Sequence, residues 1–436
     1  MTDLTVPGMT IRPVLETSEP PAWDGAIWIG EIWTDDVDID HGADEPQRYR
    51  LRGAAGYHRA RLLVRSAAGP LGFVELDVVG QALDGRRLRA LIADLPPVAD
   101  APPAGAPDTP AITVVICTRD RVAMLRTALE SVRAVDYPNF EVVVVDNAAA
   151  TDATRRYVES LADPRVRVVD EPRPGLSRAR NTGLLAATGE VVAFTDDDVV
   201  VDPHWLSAVA RGFRRGPSVA CVSGIVPAAE LRTPAQVYFD GRVGWSACLR
   251  ARVFDRAAPP ADIPLFPFAV GHYGTGANFA VDRDVAVGLG GFDEALGAGS
   301  PAGGGEDLDM FFRVLDAGGQ LVYDPAAVVW HRHRADSDGL AAQSRTYGIG
   351  LGAWIAKLAC DRRTAPRAVA TAVRRAPAFL GHLTYSASTS RPSDELADLL
   401  PGGLSTPAWR SVVAGFRAYR AALREGRSPA PLLDTT

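Results

Sequence analysis

Three carboxylates stand side by side at Asp196, Asp197 and Asp198, one residue after the apolar run 191–194 in "EVVAFTDDDVVV". Adjacent like charges repel, and burying any of them is costly unless positive charge arrives. Oxygens clustered at a strand end suit a hard divalent cation, Mg2+ or Mn2+, which takes few ligands from protein and the rest from water and phosphate. An ion held this way can bind a diphosphate and stabilise the charge that develops as it leaves. The other reading is a solvated acidic turn, and the triplet alone leaves both open. Without a cation the three groups are expected to be mobile or partly protonated.

Two further groups could do chemistry. In "GGGEDLDMFFRV" a glycine run precedes Glu306, Asp307 and Asp309, which open a helical pattern. Acidic residues in a first turn are favoured by the helix dipole, so ordinary capping explains them. A carboxylate there could equally take a proton from an incoming hydroxyl, as a general base. In "VVWHRHR" the side chains of His331 and His333 share one side if the segment is a strand. They are either satisfied histidines or metal ligands, the imidazole suiting Mn2+ better than Mg2+.

These groups need a scaffold. From residue 112 onward, apolar runs alternate with helical spacing: "ITVVICT", "RVAMLRTALESVRAV", "EVVVVDN", "TDATRRYVESLA", "RVRVVD", "GLSRARNTGLLAATG", "EVVAFTDDD" and "DPHWLSAVARGFRR". This interval predicts an α/β fold with a mostly parallel sheet and helices on both faces. Ligands of such sheets bind beyond the carboxyl ends of the strands. Thr118, Asp146 and Asp196–198 all fall at such ends, which places the acidic triplet at the mouth of a crevice. Further on, "LVYDPAAVVWHRHR" reads as two short strands.

Residues 1–95 carry short β-like pieces and one helical piece, and read as a small separate α+β module. Residues 96–111, rich in Pro and Ala, read as a linker. Residues 112–335 form the sheet domain. Residues 336–436 read as a helical extension rich in Ala, Leu and Arg.

Composition narrows the chemistry. A chain of 436 residues exceeds one ordinary core, and 47% hydrophobic with 23% charged residues is typical of globular proteins. A net charge of -7 argues against a nucleic-acid partner gripped by bulk charge. The four cysteines form no C-x-x-C pair, which fits a reducing compartment. Lys357 is the single lysine and Leu358 follows it, so no phosphate-binding G-K-[ST] loop is present. The N-terminus lacks the pattern of a signal peptide, and no apolar run reaches the roughly 18 residues of a membrane span. A cytoplasmic location is expected. The Arg-interspersed apolar stretch 347–380 could lie on the inner face of a membrane, or pack on the sheet domain.

Taken in order, "TVVICTRDR … FEVVVVDNAAATDAT … GLSRARNTGLLAATGEVVAFTDDD … GGFDE … GGEDLDMFFRV … VVWHRHR" resembles the family 2 glycosyltransferases of GT-A fold, over about residues 112–335. The resemblance implies inverting transfer of a sugar from a nucleotide-diphosphate donor, a UDP-sugar first, with a divalent cation, to an acceptor hydroxyl of a glycan, lipid-linked or small molecule. Thr118 and Asp146 match positions that meet the nucleotide base. Arg180 and Asn181 match a segment that packs near the nucleotide. Asp196 and Asp198 match the outer positions of D-x-D, with Asp198 as metal ligand and Asp196 or Asp197 as ribose contact. Asp307 matches the general base, with Glu306 beside it, and His331 matches a position near metal or phosphates. The sequence departs from the family at Asn147, where a second acid is usual, and at Cys117, where Pro is usual. The alternatives are a glycoside hydrolase, which also uses two carboxylates but no nucleotide, and a sugar- or nucleotide-binding module without catalysis.

Overall fold

The computed structural model describes residues 10–17, 19–37, 48–98, 109–374 and 408–427. Most of the proposed linker, 99–108, and residues 375–407 and 428–436 of the C-terminal region lie outside these.

Nine strands form the main sheet. Four of them, β7 (Ile112–Thr118), β8 (Phe140–Asn147), β9 (Val166–Glu171) and β10 (Val191–Thr195), run parallel in the order β10-β7-β8-β9. Every residue of β10 is buried, and β7 and β8 nearly so. Continuous Val and Ile runs form such strands because helices cover both faces. The covering helices include α2 (Val122–Arg133), α3 (Ala153–Ser160), α4 (Leu176–Ala186) and α5 (Trp205–Phe213). On the other edge of β10 the sheet turns antiparallel through β14 (Asn278–Asp282), then continues with β12 (Val219–Ile225) and β15 (Gln320–His331). Two short strands, β11 (Val199–Val201) and β13 (Arg252–Phe254), pair with β15.

The segment expected as two short strands is the single strand β15. Its register against β12 jumps between the pairs Ser223–Tyr323 and Ile225–Val328. Asp324 and Pro325 sit in that bulge, where a missing N–H is tolerated. The apparent break in the sequence is therefore a kink in one continuous element.

The N-terminal residues form two three-stranded sheets, β1 (Thr10–Ile11) with β3 (Arg48–Leu51) and β6 (Ala82–Asp84), and β2 (Ile27–Trp33) with β4 (Arg59–Ser66) and β5 (Gly69–Asp77), plus helix α1 (Gly85–Ala93). Trp28, Ile32, Leu62 and Val64 belong to a core of this region's own. The alternate residues Ile27, Ile29 and Leu63 join the core of the main sheet. Strand alternation thus makes β2 and β4 a wall between two cores. The region expected to be separate is fastened further by Arg61 to Asp240 at 2.6 Å and by the buried pair of Arg65 with Asp202.

The remaining helices among the described residues are α6 (Pro234–Val243), α7 (Arg283–Gly288), α8 (Glu306–Asp316), α9 (Ser337–Cys360), α10 (Thr364–Arg374) and α11 (Ala408–Arg424). Helix α9 packs closely on two partners through glycine. A Cβ on Gly350 would stand 2.8 Å from the Gly304 carbonyl carbon, and one on Gly352 would stand 2.1 Å from the Val412 carbonyl oxygen. No helix among the described residues is long and apolar enough to cross a membrane.

Candidate active site

The parallel strands deliver their carboxyl ends to a cleft of about 310 Å³. It is lined by Thr118, Arg119, Arg121, Asn147, Asp196, Asp197, Asp198, His331 and Arg334, among others. Register explains how His331 reaches Asp198. Strand β11 begins one residue after Asp198, and Val199 pairs with His331 across the antiparallel ladder. The Arg332 amide then donates to the Asp198 carbonyl at 2.8 Å.

The three carboxylates point in different directions. Asp197 is turned inward, 3% exposed, accepting from the Thr118 hydroxyl at 2.7 Å and from Arg121. Burial, then the charge of Asp198, pushes its carboxyl up to about 6 despite Arg121 and Thr118. Asp198 accepts from Arg121 Nη2 at 2.8 Å and lies 3.2 Å from His331 Nε2. Burial acts to raise it, but His331 and Arg121 together hold it well below the usual carboxylate range. Asp196 is partly open to the cleft, with Arg180 Nη2 at 3.7 Å. Enclosure and the neighbouring Asp198 push it up against the pull of Arg180. The expected repulsion is therefore met in part from within the protein, by Arg121, Arg180 and His331, and Asp196 and Asp197 are still pushed up.

Asp196, Asp198 and His331 each offer one ligand atom, all within 4.8 Å of one another. Two carboxylate oxygens and one imidazole nitrogen suit a divalent cation of the Mn2+ type. Asp197, committed to Thr118 and Arg121, stands outside this set.

Arg180 links the triplet to helix α8. It is 3% exposed and donates to Glu306 Oε1 at 2.8 Å and to the Gly276 carbonyl at 2.9 Å. Phe194, Phe279 and Phe292 surround its guanidinium at 5.5 to 6.0 Å. Glu306 is buried, and burial, then the charge of Asp307, pushes its carboxyl up to about 7. Its Oε2 has no hydrogen-bond partner. Asp307 is half-buried; its Oδ1 accepts from the Leu308 amide at 2.8 Å, and its Oδ2 faces Gly276, where a Cβ would stand 3.2 Å away. Glu306 and Asp307 thus neighbour Arg180 and are not among the residues lining the cleft. The helix start is set by Gly305, at φ 91, where a Cβ would meet the Gly350 carbonyl oxygen at 2.7 Å.

Two expected nucleotide contacts are turned elsewhere. Asp146 is buried, hydrogen-bonded to Thr154, with Oδ1 unpartnered, and burial raises its carboxyl. Its neighbour Asn147 lines the cleft instead. The Asn147 amide donates to the carbonyls of Glu171 and Arg173 at 3.1 and 2.8 Å and accepts from the Gly175 amide at 3.0 Å. An acid could not donate twice, so the departure at this position has a structural reason. Asn181 exchanges two hydrogen bonds with the backbone of Phe292, at 2.9 and 2.7 Å.

Three features escaped the sequence. Arg121, which holds two of the aspartates, lay in the quoted stretch "TVVICTRDR" without an assigned part. Gln343 and Tyr347 of α9 line the cleft, bonded to each other at 2.8 Å. Their spacing of four on a helix is visible in the sequence, but they fall in the helical extension, beyond the resemblance over residues 112–335. A second cavity, about 340 Å³ between the N-terminal sheet and Glu230, is lined by none of the residues singled out from the sequence.

Residues 113–281 match the sequence model of Glycosyl transferase family 2. The Pre-mycofactocin glycosyltransferase of Mycobacterium tuberculosis is 32% identical over 250 residues, covering 57% of this chain and 48% of that protein. The Glucosyl-dolichyl phosphate glucuronosyltransferase of Haloferax volcanii is 26% identical over 243 residues, covering 53% of this chain and 74% of that protein. The chain spans about half the length of the first of these relatives. Among solved structures, a mannosyltransferase from Pyrobaculum calidifontis in complex with GDP-Man and Mn2+ superposes with a TM-score of 0.44 and 23% identity, covering 80% of this chain and 94% of that one.

Proposed function

We propose that this chain, which carries a family 2 glycosyltransferase domain over residues 113–281, moves a sugar from a nucleotide-diphosphate donor to an acceptor hydroxyl with inversion. The observation that carries the reading is the convergence of Asp196, Asp198 and His331 at the mouth of a cleft whose other charged lining is Arg119, Arg121, Arg334 and Asp197, the last held by Arg121. A divalent cation held by these three residues would neutralise the donor diphosphate and stabilise the charge it gains on leaving.

The protein's own groups supply the rest. Arg119, Arg121 and Arg334 offer guanidinium donors to phosphate oxygens. Thr118, at the end of β7, and Asn147, at the end of β8, border the place for the nucleoside, with Asp146 buried behind them. The fixed Arg180 keeps Glu306, Asp307 and Asp196 from mutual repulsion. Asp307 acts as the general base on the acceptor hydroxyl, so attack comes opposite the leaving diphosphate and the anomeric centre inverts. The donor is a UDP-sugar first, and the acceptor a glycan, a lipid-linked or a small molecule. The protein works at the cytoplasmic side, with contact to a membrane through the C-terminal helices as the way to a lipid-linked acceptor.

Calorimetry with UDP and GDP, with and without Mn2+, tests the cleft: binding strengthened by Mn2+ is expected, and no strengthening with either nucleotide sinks the reading. Asp307→Asn should leave nucleotide binding unchanged and lower transfer by about 10²- to 10⁴-fold. Cleavage of an aryl glycoside in EDTA, without transfer from any nucleotide sugar, would point to a hydrolase instead.

A further inference from the structure

We propose that His333, backed by Asp240 and Arg61, is a positioning residue that presents His331 to the cation; the inference rests on the metal site read above. His331 approaches Asp198 with Nε2, while its Nδ1 faces away from the cleft and lies 3.1 Å from Nδ1 of His333. A ring that gives its Nε2 lone pair to a cation must carry its proton on Nδ1. That proton has His333 Nδ1 as its acceptor. His333 then carries its own proton on Nε2, a buried atom without a hydrogen-bond partner that faces Asp240 Oδ1 at 3.8 Å. Asp240 is in turn held by Arg61 Nη1 at 2.6 Å. The row from β4 of the N-terminal sheet to the cleft thus has hydrogen-bonding distances at both ends, Arg61 to Asp240 and His333 to His331, joined by a 3.8 Å charge contact between His333 Nε2 and Asp240 Oδ1.

The surroundings leave His333 little freedom. The ring is 3% exposed, and Phe239 and Trp245 stand edge-on to it at 4.8 and 6.1 Å. Its carbonyl accepts from Gln236 Nε2 at 3.1 Å. Trp245 also stands edge-on to His331, at 6.0 Å. An aromatic wall of this kind offers no strong acceptor, so the Nδ1 contact decides which ring nitrogen of His331 faces the aspartates. Groups that orient a ligating imidazole in this way commonly contribute 10- to 100-fold in metal affinity. The N-terminal region, which has no part in the family resemblance, therefore acts on the metal site through one arginine.

Titration of the metal-free protein with Mn2+ alone, followed by calorimetry and by electron spin-echo detection of imidazole nitrogen, tests the proposal. H333F removes the acceptor and is expected to weaken Mn2+ binding by about 10- to 100-fold. H333N puts a carbonyl oxygen where Nδ1 stood and is expected to bind within about threefold of the native protein, with the nitrogen signal kept. A merely structural role would not separate these two variants. Native affinity in H333F, or equal losses in H333F and H333N, overturns the proposal while leaving the metal site intact. Absence of Mn2+ binding in the native protein removes the site itself and this inference with it. Should H333F not fold, D240N serves: about threefold to tenfold weaker binding is expected, and unchanged binding overturns the proposal.

Discussion

Two carboxylate clusters have opposite electrostatic characters. Behind helix α8, Asp293 and Asp309 are at most 1% exposed, and Lys357 Nζ stands 2.8 Å from both. Arg313 adds a contact to Asp309 at 2.6 Å, and the Tyr419 hydroxyl donates to Asp293 at 3.3 Å. Burial acts to raise Asp309, yet Arg313 and Lys357 hold it below the usual range. In and behind the cleft, Asp196, Asp197, Asp198, Glu306 and Asp307 face Arg121, Arg180 and His331, with Arg119 and Arg334 also in the cleft lining, and three of the five carboxyls are pushed up. The cleft cluster is the more open of the two, through Asp196 and Asp307, and the less compensated. A closed cluster fastens helices, whereas one short of positive charge is built to receive it.

The sharpest way to break the comparison is to remove one acid or one base from each cluster. Asp198→Ala is expected to abolish the Mn2+ dependence of donor binding and to lower transfer by about 10³-fold or more, an effect on function far larger than the loss of its contacts with Arg121 and His331 has on the fold. Persistent Mn2+ dependence in that variant would end the assignment. Lys357→Met should do the reverse. It leaves Asp293 with the Tyr419 hydroxyl and the Ala295 amide but without its lysine, and Asp309 with Arg313, at a cost of about 3 kcal/mol, the lower end for a broken buried pair because Lys357 is 19% exposed along its side chain. Denaturant melts should show that loss while Mn2+ affinity of the folded protein stays native.

The pH dependence sharpens the same contrast. Glu306 titrates at about 7 in the folded protein against an ordinary 4.5, and Asp197 at about 6 against 3.8. Between those values the folded state binds more protons than the unfolded chain, so stability falls as pH rises. His331, raised by Asp198 against the effect of burial, adds a contribution of the same sign, lost as pH climbs through its folded value. Asp198, held low, contributes throughout this window and loses its share only in stronger acid. The metal-free Tm should therefore decline from pH 5 to 7.5, Mn2+ should restore it at the upper end, and Glu306→Gln should flatten the upper part of the slope. A flat profile in the native protein would show that the cleft is already compensated.

Much of this was legible in the sequence because buried parallel strands read as unbroken Val and Ile runs, and their carboxyl ends could be marked at Thr118, Asp146 and Asp196. Alternation placed His331 and His333 on one side, as found. What was hidden depends on pairing between distant segments. Nothing local says that Val199 pairs with His331, that Arg61 reaches Asp240, or that Gln343 and Tyr347 enter the cleft. The bulge at Pro325 split one strand into two for a similar reason: a missing N–H marks a break locally, and only the partner strand reveals continuity.

The smallest expected effect concerns Asn147, where the chain departs from the usual acid. Its side chain is 7% exposed and gives both amide protons to carbonyls of the β9–α4 connection. Asn147→Asp would keep the shape and replace two donors by a carboxylate facing two carbonyl oxygens. Restoring the common residue should therefore weaken this chain by about 1–3 kcal/mol, the penalty for buried groups left unpaired. The loss should grow as pH rises above the ordinary aspartate range, since a protonated carboxyl can still donate once and a charged one cannot. Gly175 opens the helix that carries Arg180, so a loosened connection should also raise the nucleotide concentration needed for half-saturation before it affects turnover. If Asn147→Asp proves neutral in stability at pH 7.5, the amide is a chance replacement, and the connection is held by the backbone alone.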